Sequence, residues 1–302
     1  MSAPGAGTHV EGTVDVGGHR VWYEIVEDPS ASGGKVPVLT LHGGPGVPHD
    51  YLTDLARLAD HGRPVVFYDQ LGCGRSDHPA DPTLWVMGTF VDELSTIRRS
   101  LGLDRVHLLG HSWGGWLALE YALSQPDGVA SMVLASTCAS IPAFAAVSRR
   151  LKQQLPVDVQ RVIDHHEAAG TTDEDAYIEA SMAYFTQWVC RRDPWPDHVL
   201  SSFLNLSEDV YGTMQGPEWN VIGNLKDWDV TARLREIDVP VLVTSGRHDE
   251  MTPEVVQPLV DGIPGAEWVI FENSAHLAMA EEPDRFLDVV ESFLARVESA
   301  NG

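Results

Sequence analysis

Short apolar runs rich in β-branched residues alternate with longer amphipathic segments along most of the chain, and this alternation restricts the fold more than any other feature. The runs predict eight strands, at residues 10–16, 20–27, 36–42, 64–69, 105–110, 130–136, 240–245 and 267–272. Gly17-Gly18 is a two-residue hairpin signal, so the first two strands should be antiparallel. Helical patterns accompany the later runs, at 49–60, 90–101, 113–124, 253–259 and 283–297. The expected fold is therefore α/β, with a mostly parallel eight-stranded sheet.

The strand pattern stops between residues 141 and 227, where helical segments at 146–155, 157–169, 173–190 and 197–205 follow one another. A helical insertion between two strands of an open sheet lies over the carboxyl ends of the strands, where such sheets bind ligands. We therefore predict a core of residues 1–140 and 228–302 and a helical cap of residues 141–227. The length of 302 residues fits one large domain with an insertion better than two independent domains.

The charge balance is strongly acidic, with 20 Lys and Arg residues against 44 Asp and Glu residues and a formal net charge of -24. Phosphate backbones and anionic membrane surfaces would be repelled, so we expect neither nucleic acid nor a membrane as a partner. The surplus acid is either a solvated surface or a field that favours cationic ligands. The oligomeric state stays open.

Cysteine use and the first residues bear on the location of the protein. Its three cysteines have no C-x-x-C spacing, which suits a reducing compartment. The sequence has no run of 18 apolar residues, and residues 1–7 lack the basic and apolar parts of a signal peptide. We expect a cytoplasmic protein.

The pentapeptide Gly110-His111-Ser112-Trp113-Gly114 matches G-x-S-x-G, the pattern of a nucleophile elbow. The string alone is weak evidence, but an apolar strand pattern precedes it and an apolar helix pattern follows it, as the motif requires. The elbow places a serine on a strained turn between strand and helix. Ser112 is therefore the predicted nucleophile.

A serine hydroxyl needs a nearby base and a carboxylate that orients the base. In elbow enzymes the chain order is serine, acid, histidine. Asp249 follows the strand predicted at 240–245, and His276 lies on the loop after the last predicted strand. We predict Asp249 as the orienting acid, with Glu250 as its nearest competitor, and His276 as the base.

Two glycine-containing loops follow the third and fourth predicted strands. The first, HGGPG at 42–46, predicts backbone donors for an oxyanion, so Gly43, Gly44 and the amide of Trp113 form the expected oxyanion hole. The second, DQLGCGRS at 69–76, has the expected role of packing against the first loop. It lacks the G-x-G-x-x-G pattern of dinucleotide sites, and H-E-x-x-H is absent from the chain, so we expect no cofactor and no metal.

Together these motifs resemble the α/β-hydrolase fold and, within it, the proline iminopeptidase family of serine aminopeptidases. The resemblance rests on HGGPG, DQLGCGRS, GHSWGG at 110–115, GRHDE at 246–250 and SAHLA at 274–278, in the order of the family. MQGPE at 214–218 and KDWD at 226–229 are similar to the branch that contains the tricorn-interacting aminopeptidase and the amino-acid amide hydrolases. The resemblance implies that Glu218 and Glu250 hold the amino group of the substrate.

Two positions depart from the family pattern. Members strict for proline commonly have Arg at the position of Leu71 and Gly at the position of His111. The resemblance therefore implies an aminopeptidase without implying strict selection of proline.

The leading hypothesis is a cofactor-independent serine hydrolase that removes proline or another small or apolar N-terminal residue from short peptides or amino-acid amides. One alternative is an esterase, lactonase or amidase that acts on a small specialised metabolite with the same triad. Another alternative, of a different class, is a ligand-binding relative of the hydrolases that has lost catalysis.

Overall fold

A computed structural model describes residues 7–28, 30 and 34–300, so residues 1–6, 29, 31–33, 301 and 302 of the predicted core lie outside the described part. All eight predicted strands are present and form one sheet in the order β1-β2-β4-β3-β5-β6-β7-β8. Their bounds are β1 Thr8–Val16, β2 His19–Glu27, β3 Val38–Leu41, β4 Val65–Tyr68, β5 Val106–His111, β6 Val129–Ala135, β7 Val241–Gly246 and β8 Glu267–Phe271.

The pairing of the strands confirms the predicted α/β architecture. β2 pairs antiparallel with both of its neighbours, β1 and β4. Every pairing from β4 to β8 is parallel. The carboxyl ends of six consecutive strands therefore meet at one edge of the sheet, and the loops that follow these strands are close in space.

Helices cover both faces of the sheet. One hydrophobic cluster holds the buried side chains of α1 (Met87–Ser100), α2 (Trp113–Leu123) and α8 (Pro253–Gly262). A second cluster, on the other face, holds those of α10 (Pro283–Ala300) and of residues 49–61. The predicted helix at 49–60 is a 3₁₀ helix, His49–His61, rather than an α-helix. A short helix before α10, α9 (Ala278–Glu281), was not predicted.

Five α-helices lie between β6 and β7: α3 (Ile141–Lys152), α4 (Val157–Ala169), α5 (Asp175–Trp188), α6 (Asp197–Leu204) and α7 (Glu208–Met214). The segment leaves and rejoins the core at one place, because Ile141 N donates to Trp228 O at 2.9 Å and Val230 N donates to Ala139 O at 2.9 Å.

The first and last of these helices differ from the sequence prediction. α3 begins five residues earlier than predicted, with Ser140 as its N-cap and Pro142 in its first turn, where proline is tolerated. α7 was not predicted, because a seven-residue helix gives little periodic signal.

Arg63 lies just before β4, at the end of the sheet opposite the carboxyl ends of the parallel strands. Its side chain is fully buried and carries a positive charge. Its guanidinium donates to Glu291 (Nε, 2.9 Å), to Glu298 (Nη1, 2.8 Å) and to the carbonyl of Val36 (Nη1, 2.8 Å). Both glutamates belong to α10, so these bonds attach the last helix to the amino ends of the central strands. No helix in the described residues is long and apolar enough to span a membrane.

Candidate active site

Ser112 lies on a strained turn between β5 and α2, with φ of 55° and ψ of -121°. The flanking glycines explain why the turn can form. A Cβ on Gly110 would lie 2.3 Å from the carbonyl oxygen of Gly114, and a Cβ on Gly114 would lie 2.0 Å from that of Leu41. Larger residues at either position would collide with backbone that cannot move aside, so the local sequence is required for this geometry.

His276 and Asp249 come together at the carboxyl edge of the sheet, as expected from their places after β8 and β7. His276 Nδ1 lies 2.7 Å from Asp249 Oδ1, which also accepts a hydrogen bond from Met251 N at 2.8 Å. Both side chains are buried. Burial alone would lower the pKa of His276, but Asp249, with smaller contributions from Glu250 and Glu218, raises it to about 9.

Glu250 and Glu218 approach this pair from the next residue of the β7 loop and from the segment after α7. Glu250 Oε1 lies 3.8 Å from His276 Nε2, and Glu250 Oε2 is buried with no hydrogen-bond partner among the described residues. Glu218 accepts from Tyr211 Oη at 2.5 Å and from Gln215 Nε2 at 2.8 Å. Burial, followed by the neighbouring Glu218, raises the pKa of Glu250 well above its usual range. Burial also raises the pKa of Glu218.

A chain of hydrogen bonds that the sequence did not reveal connects the loop of Gly43 with the loop of His276. Gly43 N donates to Tyr51 Oη at 2.6 Å, and Tyr51 Oη lies 2.8 Å from His111 Nδ1. His111 Nε2 lies 2.9 Å from the carbonyl oxygen of His276. A carbonyl only accepts, so Nε2 of His111 carries the proton and Tyr51 donates to Nδ1. Burial, followed by His276, lowers the pKa of His111 well below its usual range, which keeps this ring neutral.

This chain bears on the predicted oxyanion donors. The amide of Gly43 is already engaged by Tyr51 Oη, whereas Gly44 lines the cavity beside Ser112 with φ of 109°. Trp113 begins α2, directly after the serine. Of the three residues expected in the oxyanion hole, Gly43 thus has its backbone donor already engaged within the protein.

The loop at 69–76 packs against the loop at 42–46, as expected. Gln70 N donates to His42 Nε2 at 2.9 Å, and the Gln70 side chain donates to the carbonyl of His42 at 3.1 Å. Trp113 Nε1 donates to Gln70 Oε1 at 2.7 Å. Gln70 thus fixes the first loop and the residue after Ser112 relative to each other.

Glu93, on α1, supports this loop from below and was missed by the sequence analysis. The amide of Leu71 donates to Glu93 Oε2 at 2.9 Å, and Glu93 Oε1 has no hydrogen-bond partner within the described residues. The side chain is fully buried, and burial raises its pKa to about 8. A signal was available, because residue 93 shares the apolar face of α1 with the buried side chains of Phe90 and Ile97.

A cavity of about 250 Å³ lies between the carboxyl edge of the sheet and the inserted helices. It brings together six predicted site residues, which are Gly43, Gly44, Ser112, Glu218, Glu250 and His276. The other lining residues are mostly apolar, and many belong to the insertion, namely Ile178, Met182, Phe185, Val189, Trp195, Leu200, Phe203, Leu204 and Leu206. The cavity thus combines a serine, a histidine and two glutamates with an apolar wall.

Comparison with known proteins places this arrangement in a family. The α/β-hydrolase fold family matches residues 36–283. The proline iminopeptidase of Heyndrickxia coagulans is 43% identical over 290 residues, covering 95% of this chain and 99% of the relative. The crystal structure of proline iminopeptidase from Mycobacterium smegmatis is 38% identical with a TM-score of 0.89, covering 97% of this chain and 100% of that one. The crystal structure of VinJ is 41% identical with a TM-score of 0.91, covering 95% of this chain and 99% of that one.

Proposed function

Because the chain belongs to the proline iminopeptidase family of α/β-hydrolases, we propose that it is a serine aminopeptidase of broad N-terminal preference. It would release proline or another small or apolar residue from short peptides or amino-acid amides. The observation that carries the proposal is the presence of Glu218 and Glu250 in the same cavity as Ser112 and His276. A hydrolase of blocked esters would have no use for two carboxyl groups beside its nucleophile.

In the proposed mechanism, Ser112 Oγ attacks the carbonyl carbon of the first residue while His276 Nε2 takes the hydroxyl proton. Asp249 accepts from Nδ1 and stabilises the imidazolium that forms. We assign the oxyanion donors to the amides of Gly44 and Trp113, each typically worth about 3 kcal/mol of transition-state stabilisation. His276 then protonates the leaving amine, and a water deprotonated by the same imidazole hydrolyses the acyl-enzyme.

Recognition of the amino group follows from charge. Among the described residues, no lysine or arginine lines the cavity, so no side chain there with a permanent positive charge pairs with Glu218 or Glu250. The substrate ammonium supplies the missing cation. One such pair at about 4 Å contributes about 4 kcal/mol at an effective dielectric constant near 20.

We further propose that residues 141–227 act as the cap that limits the length of the substrate, since their side chains form most of the apolar wall. Leu71 and His111, which depart from the pattern of members strict for proline, support a broader preference at the first residue. The three cysteines are free thiols, which supports a reducing, cytoplasmic location.

Aminoacyl p-nitroanilides of proline, alanine and leucine, each compared with its N-acetylated form, test the proposal. We expect turnover of the free forms and a loss of at least about a hundredfold for the blocked forms, because a neutral amide cannot replace the ammonium. Ser112→Ala serves as the control for contaminating peptidases. Equal turnover of free and blocked substrates would contradict amino-group recognition, and failure of Ser112 to react with a fluorophosphonate would favour a binding protein.

A further inference from the structure

Three exposed apolar side chains share the opening of the active-site cavity. Ile178 of α5 is 52% exposed, and Leu200 and Leu204 of α6 are 43% and 77% exposed, yet all three line the cavity beside Ser112. A side chain that lines a cavity and also faces solvent lies at the mouth of the cavity. Single exposed leucines are ordinary, whereas a group of them around a cavity indicates a surface that binds an apolar ligand. We call these three side chains the apolar rim.

The packing of α6 does not require the apolar rim. Val199 and Ser202 of this helix are buried, and Ser202 Oγ accepts a hydrogen bond from Tyr51 N at 2.8 Å. Leu200 and Leu204 lie four residues apart and so share a different face of the helix, which lines the cavity. Because the first face already attaches α6 to the core, the leucines of the second face are available to a ligand.

Both helices of the apolar rim are fixed to loops of the active site. The segment between α6 and α7 is attached to the glycine loop after β3, because Ser207 N donates to the carbonyl of Gly46 at 2.9 Å. The end of α5 is attached to the loop after β8, because Leu277 N donates to the carbonyl of Val189 at 3.2 Å. The apolar rim therefore has a defined position relative to Ser112 and His276.

The inner end of the cavity is buried and polar. Ser112, His276 and Glu250 are all buried, and in the proposed function they take the carbonyl carbon and the amino group of the first residue. Among the described residues, the members of the apolar rim are the exposed members of the cavity lining. The group on the far side of the scissile bond, which is the amine that leaves, must therefore extend past the apolar rim to reach solvent.

The charge around this path disfavours a free carboxylate. Within the described part of the chain, the cavity lining contains no lysine or arginine, and the whole chain has a formal net charge of -24. The second residue of a free dipeptide carries a carboxylate close to the scissile bond. At the apolar rim this carboxylate would lose water and gain no cation, which is costly.

We propose that the apolar rim binds the amine that leaves, and that the substrates are amides between an amino acid and an apolar amine rather than free dipeptides. This inference rests on the proposed amino-group site at the inner end of the cavity. The alkyl or aryl group on the amide nitrogen packs against Ile178, Leu200 and Leu204. When the scissile C–N bond breaks, the amine leaves with the proton from His276, and water supplies the hydroxyl group of the released amino acid.

A series of alanine amides tests the proposal, with release of free alanine as the readout. The leaving amines are methylamine, butylamine, hexylamine and 6-aminohexanoate. We expect kcat/KM to rise at least tenfold from the methylamide to the hexylamide, because each methylene that is fully removed from water is worth about a fourfold change. The carboxylate of the 6-aminohexanoate amide should cancel most of this gain.

The double substitution Leu200→Gln and Leu204→Gln replaces the two leucines with polar side chains of similar length that are compatible with a helix. We expect the ratio of kcat/KM for the hexylamide to that for the methylamide to fall at least fivefold. Val157→Gln is the matched control, because Val157 is 61% exposed on α4 and lies outside the cavity lining, and it should leave the ratio unchanged. Circular dichroism and thermal melting establish that both variants are folded.

A wild-type ratio near one, or a ratio that the double substitution does not lower, would overturn the proposal. Two other occupants of the apolar rim give different results. If it holds the side chain of the first residue, the double substitution changes the preference between alanine and leucine methylamides and leaves the dependence on chain length intact. If it is an interface between two copies of the chain, the elution volume in size-exclusion chromatography changes and the ratio does not. Either result also overturns the proposal.

The same series separates this inference from the proposed function. If no alanine amide with a free amino group is hydrolysed, the proposed aminopeptidase activity fails and the assignment of the apolar rim fails with it. If all the amides are hydrolysed at rates that do not depend on the leaving amine, the aminopeptidase activity stands and only the assignment of the apolar rim is wrong.

Discussion

Glu93 gives the sharpest test of how burial shapes the site, because its raised pKa makes the stability of the fold depend on pH. Its pKa is about 8 in the folded chain against a usual value of 4.5, so the folded state holds the proton more tightly than the unfolded state. Its contribution to stability is therefore complete below about pH 4.5 and is lost as the pH rises through 8. Between pH 6 and pH 9, these two values correspond to a loss of about 2.5 kcal/mol.

Glu93→Gln removes this titration and keeps an acceptor for the amide of Leu71. Between pH 6 and pH 9, the unfolding free energy measured by urea denaturation should fall in both proteins. We expect the fall in the variant to be smaller than the fall in the wild type by about 2.5 kcal/mol. Glu250 and His276 also have raised pKa values, so they too reduce the stability of the fold as the pH rises. Both residues are present in both proteins, so their contributions cancel when the two pH curves are compared. Parallel pH curves for the two proteins would refute the buried, protonated carboxyl.

Three further predictions concern the reaction. Tyr51→Phe leaves the amide of Gly43 without its acceptor, so it should destabilise the fold by about 1–3 kcal/mol and lower kcat more than it raises KM. The control is Tyr68→Phe, which removes a buried hydroxyl that has no partner among the described residues. Equal effects of the two substitutions would contradict the role of the hydrogen-bond chain. Because the pKa of His276 is raised to about 9, kcat/KM should already decline as the pH falls below 9, and a constant value down to pH 6 would contradict this. Glu218→Gln should raise KM for free aminoacyl anilides at least tenfold and leave the rate of fluorophosphonate labelling within about threefold of the wild type. An unchanged KM would show that Glu218 is not part of the amino-group site.

The parts of the fold that sequence could predict are those whose signal is local. Apolar alternation located all eight strands, and the glycines at 110 and 114 indicated the turn because backbone contacts admit nothing larger there. The strand ends then located Asp249 and His276, since loops after parallel strands converge.

What sequence could not predict depends on contacts between distant segments. Tyr51 stands 60 residues from His111, and nothing near either residue indicates their hydrogen bond. The approach of Glu250 Oε1 to His276 Nε2, at 3.8 Å, likewise joins loops after two different strands. Glu93 is an intermediate case, since its place on an apolar helix face was visible but its partner, the amide of Leu71, was not.

The buried guanidinium of Arg63 has a consequence for how the chain acquires its fold during synthesis. Its partners Glu291 and Glu298 lie 228 and 235 residues later, on the last helix. Until that helix leaves the ribosome, closing the sheet around Arg63 would bury an uncompensated cation, at a cost of about 3–5 kcal/mol. The central strands can meet earlier, but we expect the nascent chain to stay protease-sensitive until residues 283–300 have emerged.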